Sequence, residues 1–402
     1  MVMPAQVYDA WDSIDVDIFD PKLYEACRRP MAEAETMPPW CYTSDAFYRR
    51  EVATIFMKIW NFVGRTEQVP NPGDYTSFDF ASVPVVILRD RDGEVRAFAN
   101  TCRHRGAQLL EGDGNCRAIQ CPYHGWTYAL DGSLTGAPDM EETKGFDRTE
   151  FGLTPVRLEV WAGFMFINFD PDAGPLKDFI GDLDGMLASH EMEGMVTTRR
   201  VVFPIDCNWK VFVENAMEAY HIPMVHGGSI SKHKAKKKRE SSQAVDGEFV
   251  YLYTEQAGSR ALIPGDTGFP EIENLDAKAA AGSYYPLIYP STMFCCTADC
   301  MWYLEVHPKG AHKMDLIHGA VFPKKTVERD DFDEVVKKYY GRWDQTALED
   351  NTISEIQQRG LNSPLARPGR LSYMEPLVHT IDNWVLDRVL GEDTPAGRGI
   401  RD

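Results

Sequence analysis

The sequence predicts an α+β protein, in which a small β-rich domain precedes a larger domain with an antiparallel sheet flanked by helices. Three observations carry this expectation. From about Phe62 to Asp170, short alternating apolar runs are separated by turn residues. A second strand-rich stretch spans 248–323, and the segments after it carry apolar residues at helical spacing. Strands followed by helices imply segregated layers rather than a doubly wound parallel sheet. With 402 residues, 44% of them hydrophobic and 26% charged, the chain can bury the cores of two moderate domains.

Taken in order, residues 1–45 begin polar, and PKLYEACRRPMAEA suggests a short helix stopped by Pro38 and Pro39. Asp45 stands where an N-cap is expected, ahead of AFYRREVATIFMKIW, whose Phe47, Val52, Ile55, Phe56 and Ile59 form a helical stripe. Strands follow in DYTSFDF, VPVVILRD and EVRAFAN, with Asp92-Gly93 as a hairpin turn between the last two. The same texture runs through AIQCPYHGWTYAL, a second turn at Asp131-Gly132, and VRLEVWAGFMFINFD. These changes divide the chain into an N-terminal segment 1–45 that packs on the larger domain, a β-rich domain 46–165, and a second domain 166–402. In the second domain LKDFIGDLDGMLASH reads as helix, RRVVFPID as strand, and NWKVFVENAMEAYHIPMVH as a helix and its exit. A polar stretch with the basic run KHKAKKKR at 232–239 comes next. It reads as a solvated loop, with attraction of an acidic electron donor or a carboxylate substrate as the alternative. FVYLYTE, MFCCTAD, MWYLEVHP and MDLIHGAVFP then read as strands. DEVVKKYYGRWDQTALEDNTISEIQQRG and SYMEPLVHTIDNWVLDRVL close the chain as helices.

Charge and composition exclude some functions. A net charge of −19 argues against a general nucleic-acid binder. No apolar run reaches the roughly 18 residues of a membrane span. The acidic N-terminus lacks the basic and apolar regions of a secretory signal, so a cytoplasmic location is the default. Nine cysteines, an odd number, suit metal or redox use of a few better than a disulfide framework.

The motif that carries chemistry is Cys102-Arg-His104, then 16 residues, then Cys121-Pro-Tyr-His124. A zinc finger normally places two cysteines on one arm and two histidines on the other. One Cys and one His on each arm instead suits a two-iron, two-sulfide cluster, with the cysteines on one iron and the histidines on the other. Neutral imidazoles in place of thiolates raise the reduction potential. Gly106 and Gly125 let the loops approach, Pro122 stiffens one of them, Trp126 can shield the cluster, and Arg103 and Arg105 support its charge. A second candidate site lies at Glu218, His221 and His226, where the bland alternative is a satisfied helix end.

CRHRGAQ at 102–108 and CPYHGWTY at 121–128 resemble the cluster loops of Rieske-type non-haem iron oxygenases, the ring-hydroxylating oxygenase α-subunits. Asn208-Trp209-Lys210, Glu214-Asn215, Glu218, His221 and His226 resemble the iron-binding pattern of the same family. The resemblance implies a Rieske [2Fe–2S] domain and a helix-grip, Bet v 1-like catalytic domain. It further implies mononuclear Fe(II) held by His221, His226 and a carboxylate, for which Asp350 is chosen and Glu349 is the one-residue alternative. Two imidazoles and one carboxylate on one face leave positions open for O₂. Asp350, Ile353 and Gln357 would share the inward face of their helix. Pro223 should end the preceding helix just after His221.

Within the resemblance, Glu218 becomes an electron bridge between one subunit's cluster at His124 and the next subunit's His221, in a head-to-tail homotrimer. The family's usual residue there is Asp, and Glu is shared by some members that act on quaternary amines. Asn215 either approaches the iron or bonds to it through water. NAD(P)H electrons would arrive through a separate reductase, with or without a ferredoxin, since no G-x-G-x-x-G fingerprint follows a strand here. The expected activity is O₂-dependent hydroxylation, by mono- or dioxygenation, of an aromatic or aromatic-acid small molecule. The alternative is a quaternary ammonium compound such as a betaine or carnitine. A Rieske electron carrier with a degenerate iron site is the alternative from another class, and it would hold about two irons per chain instead of three. Tyr284, Tyr285, Tyr289, Phe294, Trp302, Phe212 and Met217 are candidate pocket residues, with core packing as their other reading. Cys295 and Cys296 read as packing residues.

Overall fold

A computed structural model describes residues 17–230, 240–256 and 258–391. The basic run at 232–239 lies outside the described residues. The chain forms two compact units, Met57–Leu176 and the combination of Met1–Phe56 with Lys177–Asp402. The β-rich unit thus starts at Met57 rather than 46 and runs to Leu176 rather than 165. Residues 45–56 belong to the larger unit because their apolar face is used there: Phe56 meets Trp209 edge-on at 5.2 Å. At the other end, the turn after the last strand stays with the β-rich unit, where the Trp60 indole donates to Gly174 O at 3.0 Å.

The β-rich unit contains β1 (Asn61–Arg65), β2 (Asp74–Phe80), β3 (Val83–Arg89), β4 (Val95–Ala99) and β5 (Asp113–Asn115). Its short strands β6 (Ile119–Gln120), β7 (Thr127–Tyr128) and β8 (Leu134–Gly136) form a separate three-stranded sheet. With β9 (Pro155–Trp161) and β10 (Phe164–Asn168), the larger sheet has the order β1-β10-β9-β4-β3-β2-β5, all antiparallel. Val86, Leu88, Phe98, Ile119, Trp126 and Tyr128 make one buried cluster, and Cys102 and Cys121 lie in it.

The larger unit holds a second seven-stranded antiparallel sheet. Its strands are β11 (Met195–Ile205), β12 (Glu240–Gln243), β13 (Phe249–Glu255), β14 (Gly282–Ile288), β15 (Thr292–Cys296), β16 (Met301–Gly310) and β17 (Lys313–Pro323). They run in the order β11-β17-β16-β15-β14-β13-β12, a meander closed by the first strand. The long Phe332–Leu361 helix lies on it through aromatic contacts: Tyr339 against Phe322 at 5.3 Å and Trp343 against Trp302 at 5.3 Å. The Pro376–Leu390 helix stacks Trp384 on Tyr289 at 4.3 Å. In the N-terminal segment, Arg28 pairs with Asp387 at 2.5 Å and the Tyr42 hydroxyl donates to Glu214 at 2.9 Å. The protein is therefore α+β, as its strand and helix order predicts.

Two local expectations are corrected. Ser44, not Asp45, caps the Asp45–Glu51 helix, its Oγ accepting from the Ala46 and Phe47 amides. Only Pro21–Tyr24 of the first helical stretch is helical, as one 3₁₀ turn capped by Asp20. Among the described residues, no helix is long and apolar enough to cross a membrane.

Candidate functional site

The two Cys–His loops share one backbone design. In the first, the Gly106 amide donates to Cys102 O at 2.9 Å and the Cys102 amide to Ala107 O at 2.8 Å. In the second, Gly125 donates to Cys121 O at 3.1 Å and Cys121 to Trp126 O at 2.7 Å. Both closures use a left-handed glycine, with φ of +74° at Gly106 and +73° at Gly125, a conformation most other residues resist. Cys102 and Cys121 are buried, while the His104 and His124 rings stand 4.7 Å apart and His124 faces solvent. Trp126 stacks on His104 at 4.9 Å, which supports the expected shielding role. The Tyr128 hydroxyl lies 3.3 Å from Cys102 Sγ and accepts the Arg103 amide at 3.0 Å, a polar contact the sequence pattern does not reveal. His104 Nδ1 is buried without a hydrogen-bond partner. A buried polar nitrogen left bare among the described residues, on a loop that also carries the buried Cys102, fits a metal ligand better than a structural imidazole.

The second site is built on a helix anchored at its start. Asn208 caps Trp209–Ala216 by accepting the Lys210 amide at 3.1 Å. Lys210 is fully buried and pairs with Glu51 at 2.5 Å, and the Trp209 indole donates to the same carboxylate at 3.1 Å. This helix ends at Ala216, earlier than the sequence suggests. The chain then turns at Glu218, whose carboxylate accepts the Tyr220 and His221 amides and meets His221 Nδ1. A new turn of helix, Ile222–Val225, follows, with His221 at its N-cap and His226 at its C-cap. Pro223 begins this helix rather than ending the previous one, because a first-turn residue needs no amide donor.

His221 Nε2 and His226 Nε2 face each other at 3.3 Å. Asp350 Oδ1 lies 3.1 Å from His226 Nε2 and 3.5 Å from His221 Nε2, and one ligand atom from each residue falls within 4.8 Å of the others. Asn215 Nδ2 donates to Asp350 Oδ1 at 3.0 Å, so its contact is with the carboxylate. Glu349 does not point away as its helical position implies: it accepts from His226 Nδ1 at 2.6 Å and from Ser229 Oγ at 2.7 Å. Gln357 is exposed, and the inward face of the helix continues instead through Ser354 and Gln358.

These contacts fix the imidazole tautomers. Each Nδ1 faces a carboxylate and carries the proton, which leaves a lone pair on each Nε2. Two lone pairs and a carboxylate oxygen then point into one space, which is repulsive unless a cation lies between them. The donor set therefore fits a mononuclear metal ion. Burial lowers the His226 pKa, but Asp350 and Glu349 outweigh it and leave the pKa above the ordinary value. The same two carboxylates that favour positive charge on His226 favour a metal cation beside it.

The three donors lie at one side of a cavity with an empty volume of about 850 Å³ that opens to solvent. The sheet lines it in register: Leu252 pairs with Tyr285, Cys295 with Trp302, Met293 with Leu304, and Leu304 with His318. Of the aromatic candidates, Phe212, Tyr285 and Trp302 face the cavity, and Tyr284, Tyr289, Phe294 and Met217 are not in its lining. Trp343, His318, Arg260 and Arg342 line it without having been singled out in the sequence. His318 is neutral, its pKa driven down to about 3 by burial and then by the charges of Arg342 and Arg199.

Two iron-type donor sets on this α+β frame define a class, and comparison with known families agrees. Residues 192–391 match the catalytic domain of the ring-hydroxylating α-subunit, and 59–147 match the Rieske [2Fe–2S] domain. The chain belongs to the Rieske-type oxygenase α-subunits, the terminal oxygenase components. It is 30% identical over 376 residues to the chloroplastic choline monooxygenase of Beta vulgaris, covering 91% of this chain and 78% of that protein. It is 38% identical over 205 residues to the carnitine monooxygenase oxygenase subunit of Escherichia coli K12, covering 50% of this chain and 54% of that one. Among solved structures, the quaternary ammonium Rieske monooxygenase CntA in complex with its substrate L-carnitine superposes with a TM-score of 0.74 at 27% identity, over 91% of this chain and 97% of that one. The cofactors are those of the family, a Rieske cluster and a mononuclear non-haem iron, with electrons from a separate reductase.

Proposed function

We propose that this chain is the oxygenase component of a Rieske monooxygenase acting on a quaternary ammonium compound. The convergence of His221, His226 and Asp350 beside an aromatic-walled cavity is the observation that supports an oxygenase rather than an electron carrier. The substrates for which similar proteins are named, choline and carnitine, turn the preference away from the aromatic substrates that the family resemblance suggested. Cation–π contact gives the aromatic wall a use with an onium group.

In this reading Cys102, His104, Cys121 and His124 hold the cluster, and His221, His226 and Asp350 hold the iron. When bound, the cluster stores and passes single electrons and the iron activates O₂ for insertion into a C–H bond. The chain's own residues prepare that chemistry. Glu218 and Glu349 hold the protons of His221 and His226 on Nδ1 and so aim each Nε2. Asn215 steadies the Asp350 carboxylate by donating to one of its oxygens. Phe212, Trp302 and Trp343 exclude water from the cavity wall.

Electron delivery is proposed to cross between copies of the chain in a head-to-tail homotrimer, from His124 through the partner subunit's bridging carboxylate, with Glu218 in that role. Exposed Tyr123 beside His124, and exposed Tyr220 and Met224 beside Glu218, supply apolar surface for such a contact. The test is substrate-dependent O₂ uptake with a matched reductase, across trimethylammonium compounds and aromatic acids. Uptake with formation of an oxidised trimethylammonium product is expected. Uptake with aromatic acids alone overturns the substrate assignment.

A further inference from the structure

Two buried guanidinium groups line the cavity, and neither is neutralised. Arg260 and Arg342 are 6% and 7% exposed. Among the described residues, neither takes part in an ion pair. Arg342 Nη1 donates to Thr346 Oγ1 at 3.3 Å, and its Nε is buried with no partner. Its guanidinium lies over the Trp302 ring at 5.1 Å. Other buried cations of this protein are treated differently: Lys210 pairs with Glu51 at 2.5 Å and Arg65 with Glu67 at 2.8 Å.

A buried, unpaired guanidinium is costly, and it cannot escape by losing its proton at any ordinary pH. Two in one cavity repel each other as well: burial lowers the Arg342 pKa and the charge of Arg260 adds to that, while Tyr285, Cys295 and Asp350 oppose it without restoring the ordinary value. The cavity's carboxylates are committed elsewhere, Glu218 to His221 and Asp350 to the two imidazoles. Arg342 and Asp350 are eight positions apart on one helix, roughly 12 Å along its axis. An anion held at Arg342 would therefore share the cavity with the metal donors while resting on a different turn of the same helix.

From this geometry we propose that Arg260 and Arg342 form an anion subsite that binds a carboxylate of the substrate. Resting on the oxygenase reading above, it narrows the substrate class to onium carboxylates, zwitterions whose cationic end is oxidised while the carboxylate is held by the arginine pair. A cation without a carboxylate, such as a trimethylammonium alcohol, would meet two positive charges with nothing to offset them. The planar fork of Arg342, braced by Trp302 and Thr346, suits two parallel hydrogen bonds to a carboxylate.

The test measures binding by calorimetry on the intact oxidised holoprotein with three probes of equal length. They are trimethylammonium butyrate, its primary alcohol analogue, and the carbon isostere in which a tert-butyl group replaces trimethylammonium. The butyrate should bind at least about 10-fold more tightly than the alcohol, with a preference that shrinks as salt rises. Arg342→Met and Arg260→Met should each weaken the butyrate by about 10-fold or more and leave the alcohol unchanged or improved. Arg260→Met serves as the second variant should Arg342→Met fold poorly, with cluster absorbance and iron content as the check. Equal binding of butyrate and alcohol, or butyrate binding that neither variant alters, overturns the subsite while leaving the onium reading intact. Carboxylate isostere binding as tight as the butyrate, lost in both variants, upholds the subsite and overturns the onium reading.

Discussion

Two adjacent carboxylates meet the same histidine, and replacing each in turn separates their roles. Glu349 contacts the proton-bearing Nδ1 of His226 at 2.6 Å, whereas Asp350 faces both Nε2 atoms at 3.1 and 3.5 Å. With Asp350 as ligand, Glu349→Gln keeps every ligand atom and weakens only the support of His226. Losing such a supporting contact costs about 10- to 100-fold in metal affinity, or roughly 1.4–2.7 kcal/mol. Asp350→Ala removes the anionic donor itself. A dication and a carboxylate oxygen about 2.1 Å apart attract by about 4 kcal/mol even at the dielectric of water, a factor of about a thousand. Anaerobic Fe(II) titration of the full chain, with iron counted at equilibrium and cluster absorbance as an internal folding control, measures both. The expected order is wild type, then Glu349→Gln, then Asp350→Ala with about two irons per chain remaining. The reverse order would make Glu349 the ligand, and equal losses would refute the division of roles.

Glu218→Gln weakens the support of His221 much as Glu349→Gln does that of His226. It should keep both metals at saturating Fe(II) yet slow substrate-dependent reoxidation of the reduced cluster by about 10- to 100-fold, and stopped-flow rates equal to wild type would remove Glu218 from the electron path. Lys210→Met strands the buried Glu51 carboxylate and should cost about 3–5 kcal/mol in denaturant unfolding; a loss below about 1 kcal/mol would mean that the pair does not anchor the metal helix. Burial raises the Glu214 pKa from 4.5 to about 7 against the opposing pull of Tyr42 and Lys210. Its protonated form therefore contributes stability that is complete below about pH 4.5 and lost as pH rises through about 7, by about 3 kcal/mol in all. Glu214→Gln should flatten that decline and gain stability over wild type at pH 8; parallel pH–stability curves for the two proteins would contradict it.

The legible features are those set by neighbouring residues. Strand alternation placed β2, β3 and β4 within a residue or so, and the Cys–His spacing brought His104 and His124 to facing rings. The approach of His221 and His226 follows from local spacing too, since five residues are enough for one turn of helix with a histidine at each end. What escaped depends on side-chain competition or distant packing. Helix Trp209–Ala216 stops early because the Glu218 carboxylate takes the Tyr220 and His221 amides, a choice periodicity does not encode. Ser44 replaces Asp45 as cap through a one-residue shift, within the usual uncertainty of helix ends. Glu349 reaches His226 because its side chain is long enough to bend round the helix from a flanking position.

The sequence left the substrate class between an aromatic compound and a quaternary ammonium alternative, and the named substrates of similar proteins favour the alternative. The preference for an aromatic ligand came from the overall resemblance to the ring-hydroxylating group, since an aromatic wall by itself accepts either a flat ring or an onium group. The wall is also partly engaged already, since Arg342 lies over Trp302 and Trp302 packs on Trp343. Charge discriminates better, because a guanidinium in a sheltered cavity admits an anion and repels a bare cation with little screening. The local pattern does not reveal that information: Arg260 lies in a loop and Arg342 on a helix 82 positions further along the chain. Only the fold brings both to one cavity with His221, His226 and Asp350 and, among the described residues, leaves them without an ion-pair partner. On the proposed subsite, the aromatic residues set the size and dryness of the pocket, and the arginine pair would select among the molecules that fit it.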